Sequence, residues 1–535
     1  MASRRDELNA YTFARKRTLA AFLQPSPAGS EEGAPRPLRA LAPSLVVGAL
    51  LLAGFGAWGM IKPGAPQGWD TPGAKVLVGS ESTTRYVVLN TDGKAELHPV
   101  LNLASAKLLL DPQKFGVLKI QESVLDSGKI PHGPTLGIPY APDRLPSSAD
   151  AGTAKLWAVC ERPGQGTGDV QKATFVLANR DVSKVDGAGR LSGDQGLFVQ
   201  GPDGAQYLVD PSGTMYPIGN ADWKSTGKTG QDAQKLLVRI LFGGDKTPQL
   251  VTDDWLATFN RGNPVEFPQV DGMGGAANVP GLSPQLNKVG MVLIAPSGTG
   301  SQKYVVLANK VARVSDLVAK LLLNMPGVTS MYPGSDHVPA PQQVAAQDFT
   351  PDDTPFYADR GWPQQPPQQV NDGSSAASCS VYRGSVDGNN QAQVSVWTGQ
   401  HFPATVVDGG TSAYVTPGSG LLYRQTVGGS MDTGSVFLVT DTGLRYAVQS
   451  NNDSNSHKSN IGADTSASAD PQNSGQGQNS GQSQSQSQSQ QQADQAQVRL
   501  GYGQVQPVPV PQAWSAFLPA GPTLDTNDAA QPQGS

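Results

Sequence analysis

The chain has 535 residues and a formal net charge of −5, with an isoelectric point near 5.6. That balance excludes the pervasive basic field a nucleic-acid binder presents. The length accommodates two or more domains, while 62 glycines and 43 prolines imply many turns and little long helix.

Residues 1–40 read as a basic cytoplasmic tail. Arg4, Arg5, Arg15, Lys16, Arg17, Arg36 and Arg39 stand there against four acids. Within it, SRRDELNAYTFARKRTLAAFL reads as a helix. Leu8, Tyr11, Leu19, Phe22 and Leu23 fall on one side, Ser3 with Asp6 forms a capping-box pattern, and Pro25 and Pro27 end it. A basic amphipathic helix of this kind lies on a membrane surface or docks on a partner. A solvated juxtamembrane helix is the plain alternative.

Residues 41–61, LAPSLVVGALLLAGFGAWGMI, hold no charge. As a helix they extend ~31 Å at ~1.5 Å per residue, enough to cross a hydrocarbon core, where a helix satisfies its own backbone. A cleaved secretory signal fits less well, because its apolar region runs ~7–15 residues behind a short leader. The positive-inside rule then keeps the tail inside and puts more than 470 residues after Lys62 outside. Ala49, Ala53 and Ala57 recur every four residues and offer a packing face to another transmembrane helix.

Beyond a linker at 62–74, one pattern recurs four times: apolar strand, Gly/Ser-rich turn, apolar strand. The copies begin with VLVGSESTTRYVVL (Val76), LFVQGPDGAQYLV (Leu197), MVLIAPSGTGSQKYVVL (Met291) and LLYRQTVGGSMDTGSVFLV (Leu421). Tight turns follow at Asn90, Asp210 and Thr440, with Ala308-Asn309-Lys310 breaking the rule in copy three. Helical patches close the first three copies at Leu103, Asp232 and Val314. The copies occupy 75–145, 191–260, 288–340 and 411–449, with linkers at 261–287 and 341–376. Residues 450–494 are almost entirely polar and cannot bury enough apolar surface to order themselves. They read as an insertion inside copy four, because ADQAQVRL before Gly501 supplies its missing helix. The return segment is 495–524, and 525–535 reads as a disordered tail.

Between the copies lie strand-like groups at 146–190 (KLWAVCE, KATFVLAN) and 377–410 (ASCSVYRG, QVSVWTG, ATVVDGG), each with one cysteine. The simplest architecture is a central sheet built from both groups. Copies two and three then form one end, and copies one and four flank the other. An oxidising exterior favours a disulfide from Cys160 to Cys379. Closing its loop of ~220 residues is worth roughly 5 kcal/mol at most in the chain-entropy model.

The SRRDELNAYTFARKR opening, single anchor, four dispersed repeats, cysteine pair and LGYGQVQPVPVP end together resemble the EccB family, a membrane core component of type VII (ESX) secretion. The resemblance covers almost the whole chain, with 450–494 the departure from the pattern. It implies an α+β protein: a single transmembrane helix, then an elongated, mainly β extracytoplasmic body made of a disulfide-linked central sheet and four small ββ(β)α repeats. It also implies a homo-oligomeric scaffold over the membrane pore, with an EccC-like ATPase, EccD, EccE and a mycosin protease as partners.

Some members of that family carry an ATPase label. The nearest P-loop candidate is DWKSTGKT, Asp222 to Thr229. Gly227, Lys228 and Thr229 match, but Asp222 stands where the first glycine belongs and would repel phosphate. His98, His132, His337, His401 and His457 show no zinc spacing, and no complete G-x-S-x-G elbow occurs. No catalytic, cofactor or metal site is expected. A second function class is a membrane-anchored cell-wall binder gripping glycan through Tyr86, Tyr207 and Tyr304, although those rings suit hairpin cores better.

Overall fold

The computed structural model describes residues 4–23, 38–61 and 65–533, apart from 165–169, 220–226, 299, 333–338, 372–375, 388–390, 407–410, 428–432, 449–460 and 462–495. It divides into two units, Met1–Gln67 and Gly68–Ser535.

In the first unit, α1 spans Arg4–Leu23 and α2 spans Leu38–Ile61. The proposed cap at Ser3 lies outside the described residues. The one-sided stripe expected on α1 is interrupted: at about 100° per residue, Arg15 falls among Leu8, Tyr11, Leu19 and Phe22, and Phe13 points the other way. All of these apolar side chains are exposed. Pro43 lies inside α2, beyond its first turn, and having no amide hydrogen it cannot bond the carbonyl four residues earlier. Side chains of α2 are described from 41 to 57, and those of Ala49, Ala53 and Ala57 are exposed. Among the described residues no helix is long and apolar enough to cross a membrane.

Among the described residues the second unit is built on five sheets. The central one runs Ala392–Gly399, Ala377–Val386, Leu156–Arg162, Gln171–Leu177 and Thr411–Val415, antiparallel except for the last pair. Alternation along Leu156–Arg162 sorts its two faces. Trp157 and Val159 enter one core, while Leu156, Ala158 and Cys160 enter another.

Four further sheets share one chain order. Three antiparallel strands are followed by a helix, and then by a strand parallel to the first. In the first of these sheets the strands are Lys75–Gly79, Arg85–Thr91 and Lys94–Val100, the helix is Leu103–Leu109, and Gly116–Ile120 returns beside Lys75–Gly79. The second uses Gln195–Gln200, Gln206–Val209, Thr214–Pro217, helix Gly227–Phe242 and return Gln249–Leu250. The third uses Val292–Ser297, Gly300–Leu307, Lys310–Arg313, helix Asp316–Leu323 and return Gln342–Gln343. The fourth uses Leu421–Thr426, Val436–Val439, Arg445–Ala447, a helix over 496–500 and return Val508–Pro511. A parallel return needs a crossover of a dozen or more residues, and the helix supplies it.

Four sequence expectations need correction. Strand Thr411–Val415 belongs to the central sheet and not to the fourth copy, while 404–406 of ATVVDGG is not strand. Nor is 341–376 a bare linker. Pro351–Asp352 and Gln368–Gln369 pair onto the third and second sheets, and Trp362 is buried, because those sheets need their edges and cores covered. The 525–535 segment is ordered through 533. Helix Thr526–Ala529 buries Ala529, and the Gln533 amide donates to the Gly137 carbonyl at 2.8 Å. Finally, Ala308-Asn309 does make a tight turn, since Asn309 adopts φ +62°, a region asparagine tolerates.

The second and third sheets share one core, containing Phe198, Leu237, Val292 and Leu321. The first sheet's helix and the fourth sheet share another, containing Leu108, Leu422, Tyr446 and Leu500.

Candidate functional site: the disulfide-braced junction

Cys160 and Cys379 lie directly opposite on adjacent antiparallel strands, with their Cα atoms 4.0 Å apart, and form a disulfide. Both are fully buried. A thiol function requires an accessible, electropositive setting, and this bond has neither. Its role is to tie strand Leu156–Arg162 to a strand 219 residues further along.

The next residue, Glu161, is also fully buried and faces the second sheet. It accepts from the Thr252 amide at 2.9 Å and the Thr252 hydroxyl at 2.5 Å, and Lys172 Nζ lies 3.9 Å away. Burial pushes its carboxyl above the ordinary value, against the opposing pull of Thr252 and Lys172. The buried amide of Gln249 donates to the Glu161 carbonyl at 3.0 Å and accepts from the Ser378 hydroxyl at 2.7 Å. Asn371 completes the bridge, giving and receiving 2.9 Å bonds with the Phe198 backbone. Trp255 Nε1 donates to the Val159 carbonyl at 3.0 Å. Buried polar groups are costly unless paired, and these are paired across sheets. The network fixes how the central and second sheets meet.

Lys155 performs the same task toward the fourth sheet. Its ammonium is buried and bonds the carbonyls of Asp150 (2.7 Å) and Thr153 (3.0 Å), with the Asp150 carboxylate 3.1 Å away. That carboxylate accepts from Ser419 and from the Gly420 amide. Burial raises the Asp150 carboxyl, but these donors and Lys155 together hold it below its ordinary range. Between the first and fourth sheets, Arg499 donates to the Leu108 and Leu110 carbonyls at 3.0 and 3.1 Å, and Lys107 donates to the Leu500 carbonyl at 2.9 Å.

The sequence reading found the cysteines but not Glu161, Gln249, Asn371, Lys155 or Asp150. The available signal was a glutamate ending the apolar strand LWAVCER. The three tyrosines do not converge on one surface. Tyr304 is buried against Phe349, Tyr207 packs beside the core around Trp255, and Tyr86 meets His132 edge-on. The phosphate-loop candidate lies largely outside the described residues, with Gly227 opening the helix Gly227–Phe242. Among the described residues, no three His, Cys, Asp or Glu side chains are placed to hold a metal ion.

The family model described as "Type VII secretion system ESX-1, transport TM domain B" matches residues 1–534. The protein called ESX-1 secretion system ATPase EccB1 of Mycolicibacterium smegmatis is 30% identical over 53% of this chain and about half (54%) of its own length. The ESX-3 secretion system ATPase EccB3 of the same species is 28% identical over 78% of this chain and 77% of its own. Two solved structures are alike in fold. One, an EccB3 dimer from the ESX-3 core complex, has TM-score 0.55 and 23% identity, covering 85% of this chain and 99% of that one. The other, an intact ESX-5 inner membrane complex, has TM-score 0.55 and 21% identity, covering 100% and 96%. With the match running from one end to the other, this chain belongs to the EccB family of type VII secretion systems.

Proposed function

We propose that this chain is a membrane-anchored scaffold subunit of a type VII secretion complex. The family match over residues 1–534 carries the reading. The junction supports it physically, because its buried polar pairs and its disulfide fix the relative placement of sheets. On this reading the charge-free run 41–61, whose side chains are described only over 41–57, is a single membrane span. The basic tail lies in the cytoplasm and the body outside. Ala49, Ala53 and Ala57 are the face on which another membrane helix packs. The four peripheral sheets are copies of one unit, supported by their common strand order. The partners are an EccC-like ATPase, EccD, EccE and a mycosin protease, together with further copies of this chain.

Affinity purification in mild detergent tests the assignment. Recovery with other secretion membrane proteins is expected, and recovery of the chain alone at normal expression would overturn it. Protease added to spheroplasts is expected to digest the body and spare the tail. The relatives' names include "ATPase". Any nucleotide turnover by the purified chain that survives Lys228→Ala excludes the Asp222–Thr229 segment as its source.

A further inference from the structure

The turn Ile138–Ala141 is anchored at both ends and open at its tip. Ile138 and Ala141 are buried, and the Ala141 amide donates to the Ile138 carbonyl at 3.2 Å. Pro139 takes the second position, as in a type II turn, whose third position needs positive φ and normally takes glycine. Tyr140 stands there instead, at φ +62° and 88% exposed. Tyr357 has the same φ, but its ring packs on Phe356 and Trp362 at 4.6 and 5.3 Å. Its hydroxyl also accepts from the Gln269 amide at 2.7 Å. Among the described residues the Tyr140 ring has no such partner, and only its backbone carbonyl is held, by the Tyr446 hydroxyl at 3.5 Å. A strained backbone that presents an aromatic ring to solvent has no return within the fold.

We propose that the Tyr140 turn is a contact surface for a second copy of this chain. The proposal rests on the oligomer reading above and names the face that reading leaves open. Its surroundings argue for a self-match. Leu101, 42% exposed, lies against Gly137, where a Cβ would come within 3.2 Å of its own. Asp143 and Arg144, just beyond the turn, form ion pairs of mixed sign, Arg85–Asp143 at 2.7 Å and Arg144–Asp441 at 3.5 Å. A two-fold interface sets one patch against itself, so charges placed in it pair only if both signs are present. A strongly anionic or cationic partner would find no matching field. An exposed tyrosine at the centre is the residue type that anchors such contacts.

The test exploits the cysteine content. The two native cysteines are buried in their disulfide, so Tyr140→Cys adds a single reactive thiol to the full chain. In detergent, a short bis-maleimide is expected to link Tyr140→Cys into dimers and to leave exposed Lys246→Cys unlinked. Tyr140→Gly is expected to weaken self-association at least ~10-fold, while its melting midpoint holds or rises by ~1–2 °C, since glycine accepts the turn's positive φ. A wild-type dimer unaffected by Tyr140→Gly, with no link formed in the Tyr140→Cys variant, overturns this assignment alone. A wild-type chain that is monomeric at every concentration overturns the oligomer reading and this one together.

Discussion

Glu161 is a fully buried carboxylate, one position from the disulfide and held by Thr252 and Lys172. Its pKa is raised in the folded state, chiefly by burial. Its contribution to stability is therefore full below its ordinary value of 4.5 and lost as pH rises through the folded value. Glu161→Gln keeps an acceptor for the Thr252 amide and removes the buried charge. Thermal unfolding at pH 7.5 is expected to occur at an equal or higher temperature than in the wild type, with a flatter pH profile. His98 acts with the opposite sign. It is fully buried, its Nδ1 lies 3.0 Å from the Pro134 carbonyl, and burial lowers its pKa against the pull of that carbonyl and Glu96. Its contribution is present above the ordinary value of 6.5 and lost as pH falls below it. His98→Gln is expected to reduce the fall in melting temperature between pH 7 and pH 5. Replacing both cysteines by alanine removes a closure of 219 residues. The expected cost is up to about 5 kcal/mol in the chain-entropy model, read as a lower denaturant midpoint that no longer responds to reductant.

At the level of elements, the long strands are legible in the sequence and the short ones are not. KLWAVCE and KATFVLAN announce a buried sheet through nearly unbroken apolar runs, and ASCSVYRG and QVSVWTG through apolar residues alternating with serine. Apart from Gly116–Ile120, the return strands carry no such pattern. Gln249–Leu250 and Gln342–Gln343 are two residues each, and Val508–Pro511 alternates with prolines that suit an edge. What locates them is tertiary, a free edge beside the first strand of each sheet. Thr411–Val415 falls to the wrong sheet in the sequence for a related reason. TSAYV fits either neighbour, and its register beside Gln171–Leu177 decides. The helix Leu103–Leu109 shows how elements are closed from afar, since its final carbonyls are satisfied by Arg499, almost four hundred residues away in sequence. Arg499→Met keeps the aliphatic stem but leaves those carbonyls unpaired. A loss of about 2–3 kcal/mol is expected from chemical denaturation.

Across the whole second unit, distant parts of the chain are laid side by side. The last described residues sit against the first peripheral sheet: Pro532 bridges to Leu136, and Gln533 bonds Thr135 and Gly137. Ending the chain at Leu524 removes those bonds and the buried Ala529. Faster proteolysis within 131–137 is expected, with the cut mapped by mass spectrometry.

The fourth sheet shows the same logic of closure. Tyr446 and Val448 precede the polar tract, Ala496 and Leu500 follow it, and all four enter one apolar cluster. With both banks of that gap moored, lengthening the polar tract beyond Ile461 is expected to cost little, because each doubling of loop length adds only about 0.6 kcal/mol of closure entropy. The polar composition of 462–495 makes it the natural place for an insertion. An epitope or a small fluorescent domain spliced there would ride on the body while leaving its sheets in register.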